Sequence, residues 1–211
     1  MAFETWLMFA AVATLAILSP GPAVLLAITN GSRGGMRAVA LSSLGNILGV
    51  AAVAGVSVFG LGALLKTSAS LFLLAKLVGA AYLVYLGLKQ FRRAALSLSQ
   101  AAAAAGTGQR PAGALLREGA LIALTNPKAI AFFTALFPVF LDTARPLALQ
   151  FVLMTATFMA LSFMSLTAYG LLARSAGRWL AEPRRQRLFN RVTGGVFIGL
   201  GASLLQLGRG T

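Results

Sequence analysis

Leu18–Leu26 reads LSPGPAVLL, two prolines and a glycine set inside an apolar run. Pro20 and Pro22 each remove a backbone donor, and Gly21 is a poor helix former. The flanking residues are good helix formers, so this reads as one helix broken near its middle. Such a break frees backbone groups that something else must satisfy. In an apolar environment that is affordable only where the backbone is buried in protein or lines a cavity.

The environment follows from composition. The chain has 211 residues, 58% hydrophobic and 10% charged, too apolar for a soluble domain of this length. About 20 apolar residues span a bilayer as a helix. Six windows qualify: Thr5–Ile28, Ala38–Leu65, Ser70–Gln90, Ala114–Leu141, Leu147–Ala173 and Arg191–Leu207. The expected fold is therefore all-α, a polytopic membrane protein of six transmembrane helices forming one domain over residues 1–211. The first window is not expected to be a cleaved signal peptide, because Glu4 stands where a basic segment would be required.

The net charge is +14, from 18 basic and 4 acidic residues. The basic residues gather in alternate links. Arg33 and Arg37 lie between helices one and two; Lys89, Arg92, Arg93, Arg110 and Arg117 lie around the third link; Arg174 to Arg191 lie around the fifth. Positive loops stay inside, so these links are expected in the cytoplasm and both termini outside. The same loops suit anionic lipid. No aromatic residues interleave them, so nucleic acid is not expected as a partner. The chain has no cysteine and no histidine, which argues against thiol redox chemistry and soft-metal sites. No cofactor or metal is expected. No nucleophile–base pair is visible, so an enzyme is not expected either.

Residues 97–113, SLSQAAAAAGTGQRPAG, read as a low-complexity cytoplasmic linker between repeat 1 (about 1–96) and repeat 2 (about 114–211). ATLAILSPGPAV (Ala13–Val24) aligns without a gap on GALIALTNPKAI (Gly119–Ile130), which lays the first break on Asn126–Lys128. KLVGAAYL (Lys76–Leu83) likewise aligns on RVTGGVFI (Arg191–Ile198). Each half holds an odd number of helices, so the halves would insert in opposite orientations, as two inverted three-helix repeats with helices one and four broken. Matched interruptions in two such halves point to a midplane binding site in secondary transporters. Helix N-termini there favour a carboxylate and C-termini an ammonium, which suits a zwitterion. The alternative is a structural kink satisfied by neighbouring helices.

The expected substrate-binding residues are Pro20, Gly21, Pro22, Asn46, Asn126, Pro127 and Lys128. Lys128 sits mid-span, where a cation costs on the order of 2.5–3.5 kcal/mol. Three fates are open to it: bonding to carbonyls of the break, loss of its proton, or pairing with a substrate carboxylate. Glu118 lies about 15 Å away along the same helix, and Glu118 and Lys128 are the residues available for ion coupling. Asn46 would line the cavity or bond across helices. Gly45 with Gly49, and Gly195 with Gly199, permit close helix approach within the bundle or in a homodimer. Tyr85 is expected to pack; Tyr82 could face the cavity or pack.

SPGP in helix one, LGNILGVAAVAGVSVFGLGALL in helix two, KLVGAAYLVYLGLK in helix three and TNPKA in helix four together resemble the LysE/RhtB family of amino-acid exporters, over essentially the whole chain. The resemblance implies a multi-pass protein of the bacterial inner membrane that exports amino acids or their derivatives, commonly at the expense of the proton motive force. Many members carry an acid where this chain has Asn46, so an acid-borne proton route there is missing. The alternatives are an uncoupled amino-acid facilitator and a related cation transporter.

Overall fold

A computed structural model describes residues 1–19, 21–65, 69–92, 110–142, 145–173 and 182–206. Pro20 and residues 97–109 of the expected linker lie outside the described residues. Among the described residues every regular element is helical: α1 (Phe3–Leu18), α2 (Pro22–Arg33), α3 (Gly35–Leu65), α4 (Ala69–Phe91), α5 (Ala112–Thr125), α6 (Pro127–Ala131), α7 (Leu147–Leu171) and α8 (Pro183–Gln206).

Both expected breaks are present. The axes of α1 and α2 differ by 60°, and those of α5 and the segment Pro127–Phe140 by 52°. Pro22 and Pro127 each open the helix after the break, the position where a missing amide costs least and a fixed φ helps. Beyond α6 the helix widens into a π turn over Phe132–Leu136 and tightens into a 3-10 turn over Phe137–Phe140. Pro138 lies there; without an amide hydrogen, and with its ring crowding the carbonyl four residues back, it disfavours a regular α-helix.

By length and hydropathy, Gly35–Ser57 and Leu147–Leu171 can each cross a membrane, and each bent pair can count as one more span. That makes two to four spans among the described residues, against the six expected. The remaining windows fall on α4 and α8, helices of 23 and 24 residues. The last helix begins at Pro183 rather than Arg191, because its first turns are arginine-rich and hydropathy does not register them.

Helix contacts depend on glycine. α3 packs on α5, α2 on α7, and α4 on α8. A Cβ on Gly119 would collide with the Ser42 carbonyl, one on Gly45 with the Leu116 backbone, and one on Gly31 with the Gly170 carbonyl. Gly87 and Gly194 face each other, each within 2.8 Å of the other's carbonyl oxygen if a Cβ were added. In a lipid solvent burial of apolar surface drives little, so this backbone approach supplies dispersion contact instead. Gly45 and Gly49 are thus used inside the chain, whereas Gly195 and Gly199 meet nothing within 4 Å.

A phenylalanine cluster anchors the segment after the second break. Phe9 of α1 lies 5.9, 5.8 and 5.5 Å from Phe132, Phe137 and Phe140. Phe158 of α7 lies 4.8 Å from Phe132 and 4.9 Å from Phe133. Tilted and edge contacts of this kind contribute about 0.5–1.5 kcal/mol each beyond burial. They hold α1, ahead of the first break, and α7 against the segment that follows the second.

Candidate functional site between the two breaks

The carbonyls released at the end of α1 find three different partners. The Ser19 amide closes the last turn on the Leu15 carbonyl at 3.1 Å. The Leu18 carbonyl would normally take the amide four residues on, but that residue is Pro22. The Tyr169 hydroxyl of α7 donates to it instead, at 3.0 Å. The Ser19 carbonyl accepts the Lys128 ammonium at 2.9 Å. The two breaks are therefore tied to each other by the one cation placed in the second.

The second break is closed by its own sequence. Asn126 caps α6, its side-chain oxygen accepting the Lys128 amide at 3.1 Å. The Pro127 carbonyl accepts the Tyr82 hydroxyl at 3.2 Å. Asn46 of α3, buried, donates to the Gly119 carbonyl at 3.4 Å. Lys128 sits at the N-terminal, positive end of α6, which disfavours its charge; the negative C-terminal end of α1 faces it and compensates.

Among the described residues, two cavities larger than a single water flank this junction. One of about 40 Å³ is walled by α3 and α7 and includes Ala16, Ile17, Asn46, Val50, Phe158 and Ser162. The other, of about 110 Å³, is walled by α4 and α8 and includes Pro22, Tyr82, Lys89, Gln90, Pro127 and Phe197. Gly21, Asn126 and Lys128 belong to both walls. A water needs roughly 10–15 Å³ measured this way, so each has room for several waters or a small polar group.

Six of the seven expected site residues thus meet around one junction: Gly21, Pro22, Asn46, Asn126, Pro127 and Lys128. Glu118 does not. It pairs with Arg110 at 2.8 Å, about a third exposed, and lines neither cavity. Tyr82 faces the larger cavity. Tyr85 does not pack as expected: it is 51% exposed, with the Tyr82 ring 5.7 Å away and the Lys89 ammonium 5.6 Å over its own ring.

Four residues were missed. Ser19, 1% exposed, accepts Gln90 on its hydroxyl at 3.0 Å, and Gln90 also donates to Asn190 at 3.1 Å. This buried chain joins α4 and α8 to the first break. Gln90 and Asn190 stand near the polar ends of their helices and read as surface; Tyr169 reads as an interfacial aromatic. Tyr169→Phe keeps the ring and deletes one donor. It is expected to lower stability by about 1 kcal/mol, measured as an earlier thermal transition in detergent; an unchanged transition would mean the Leu18 carbonyl has another donor.

Interrupted helices inside apolar spans, with a lysine and several amide side chains gathered at the interruption, are the pattern expected of a membrane transport protein. The chain belongs to the LysE type translocators, whose family model matches residues 14–208; proteins of this family are transporters, not enzymes. An uncharacterized membrane protein of Vibrio cholerae is 35% identical over 205 residues, covering 97% of this chain and 98% of the relative. A homoserine/homoserine lactone efflux protein of Salmonella typhi is 32% identical, with 97% of each chain covered. A leucine efflux protein of Enterobacter sp. strain 638 is 29% identical over 193 residues, with 90% of each covered. No solved structure matches the chain.

Proposed function

We propose that this chain is a secondary active exporter of an amino acid or amino-acid derivative across the bacterial inner membrane, coupled to protons. Its six spans would form two inverted three-helix repeats, about 1–96 and 114–211, with both termini outside. The observation that carries the reading is the Lys128–Ser19 bond at the junction of two broken helices, with a cavity on either side. Lys128 would hold the substrate carboxylate, and the C-terminal end of α1 its ammonium. Pro20, Gly21, Pro22, Asn46, Asn126 and Pro127 complete the site. The efflux names of the relatives support the substrate class.

Uncoupled facilitation is the second reading. The absence of a carboxylate from both cavity walls favours it, since Glu118 is engaged with Arg110. A cation transporter is the weakest reading, because an inorganic cation at membrane depth needs carboxylates to offset its charge and meets Lys128 on both walls instead. Purified protein in proteoliposomes separates the first two. Coupled export is expected to accumulate homoserine or leucine against its gradient, and a protonophore is expected to cut that accumulation at least tenfold. Transport that only equilibrates, with or without a pH gradient, would establish the facilitator.

A further inference from the structure

We infer that the site selects amino acids whose side chain carries no positive charge. The inference rests on the proposed reading of the site and deepens it.

The chain contains four acidic residues, Glu4, Glu118, Asp142 and Glu182, and no histidine or cysteine. All four acids are described, and none lines either cavity. Glu118 pairs with Arg110 at 2.8 Å, Asp142 with Arg145 at 3.2 Å, and Glu182 with Arg185 at 2.8 Å. Glu4 is exposed in the first turn of α1. No side chain of this protein therefore brings a negative charge to the junction. The cavity walls carry the opposite sign: Lys128 belongs to both, and Lys89 adds a second ammonium to the larger one.

A zwitterion matches this field. Its carboxylate meets Lys128, and its single ammonium meets the C-terminal end of α1 and the amide oxygens near it. A second ammonium on the side chain finds no counter-charge and stands within reach of Lys128. Two like charges about 6 Å apart at an effective dielectric of about 20 repel by enough for roughly a hundredfold in affinity. Apolar lining such as Ile17, Val50 and Phe158 accepts an uncharged side chain without such a cost. Asn46, buried on the wall of the smaller cavity, is the position where an acid would offset this repulsion.

Homoserine and 2,4-diaminobutyrate form the test pair. They share a chain length, and a hydroxyl is exchanged for an ammonium. Each competes with labelled homoserine, or with labelled leucine should that be the one carried, in proteoliposome counterflow at a pH where both ammonium groups of the diamine are charged. In the wild type the diamine is expected to compete about a hundredfold more weakly than homoserine. Asn46→Asp is expected to narrow that gap at least tenfold, and Asn46→Ser to leave it. Equal competition in the wild type overturns the inference while leaving amino-acid export standing. An unchanged gap in an Asn46→Asp protein that still carries the labelled amino acid overturns the assignment to wall charge. Should no amino acid move in the wild type, the proposed function itself fails first.

Discussion

Lys128→Met is expected to lower export at least a hundredfold while the protein remains inserted at a normal level. Methionine keeps an unbranched apolar stem out to the Cε position and removes the ammonium. Two things are lost together. The Ser19 carbonyl loses its donor, and an unsatisfied buried acceptor costs about 1–3 kcal/mol. The substrate carboxylate loses the cation proposed to hold it, worth about 1.5–3 kcal/mol for a charge-assisted bond. The first loss is structural and the second appears only with substrate. Initial rates against substrate concentration tell them apart, with protein quantity fixed by immunoblot. A raised KM that arginine partly restores indicates the carboxylate role. Arginine keeps the charge but spreads it over a planar fork, so full restoration is not expected. Normal export by the methionine variant would remove Lys128 from the mechanism.

Gly119→Val is expected to be the most damaging single substitution in the packing. An ideal Cβ at Gly119 would already collide with the Ser42 carbonyl and lie 2.9 Å from the Asn46 amide nitrogen. Those are backbone atoms of α3, which cannot yield as a flexible side chain does. α3 and α5 would have to separate, and the Asn46–Gly119 hydrogen bond would go with them. Overpacking of this kind costs up to about 3 kcal/mol or more. Melting in detergent, followed by size exclusion, should show an early transition and loss of the monodisperse peak. Gly195→Ala is the control: among the described residues nothing lies within 4 Å of the added carbon, so no destabilisation is expected, and the gain in helix propensity is up to about 1 kcal/mol. Equal melting of the Gly119 variant and wild type would mean that α3 and α5 do not approach this closely.

Both predictions depend on the same feature of a membrane interior. Hydrocarbon offers a freed carbonyl no hydrogen-bond donor, so the breaks draw on side chains of neighbouring helices. Tyr169, Lys128 and Tyr82 supply those donors here, and Asn126 caps its own break. The same constraint makes the junction polar, the property on which the proposed zwitterion site rests.

The sequence alone determined that the chain is helical and membrane-bound, because apolar runs of spanning length are a one-dimensional property. It determined where two helices are interrupted, because proline removes a donor whatever surrounds it. It also determined that Lys128 needed compensation, since a cation at that depth is costly in any fold. What it left undetermined was the identity of the partner. Ser19 is 109 positions away, and no periodicity relates the two. Tertiary structure decided that. It also decided that Glu118 turns to Arg110, that Tyr85 stands exposed, and that Gln90 and Asn190 are buried against Ser19. Helix rotation settles each of these. Rotation follows from which glycines let backbones meet, and that depends on pairs of helices rather than on any one of them.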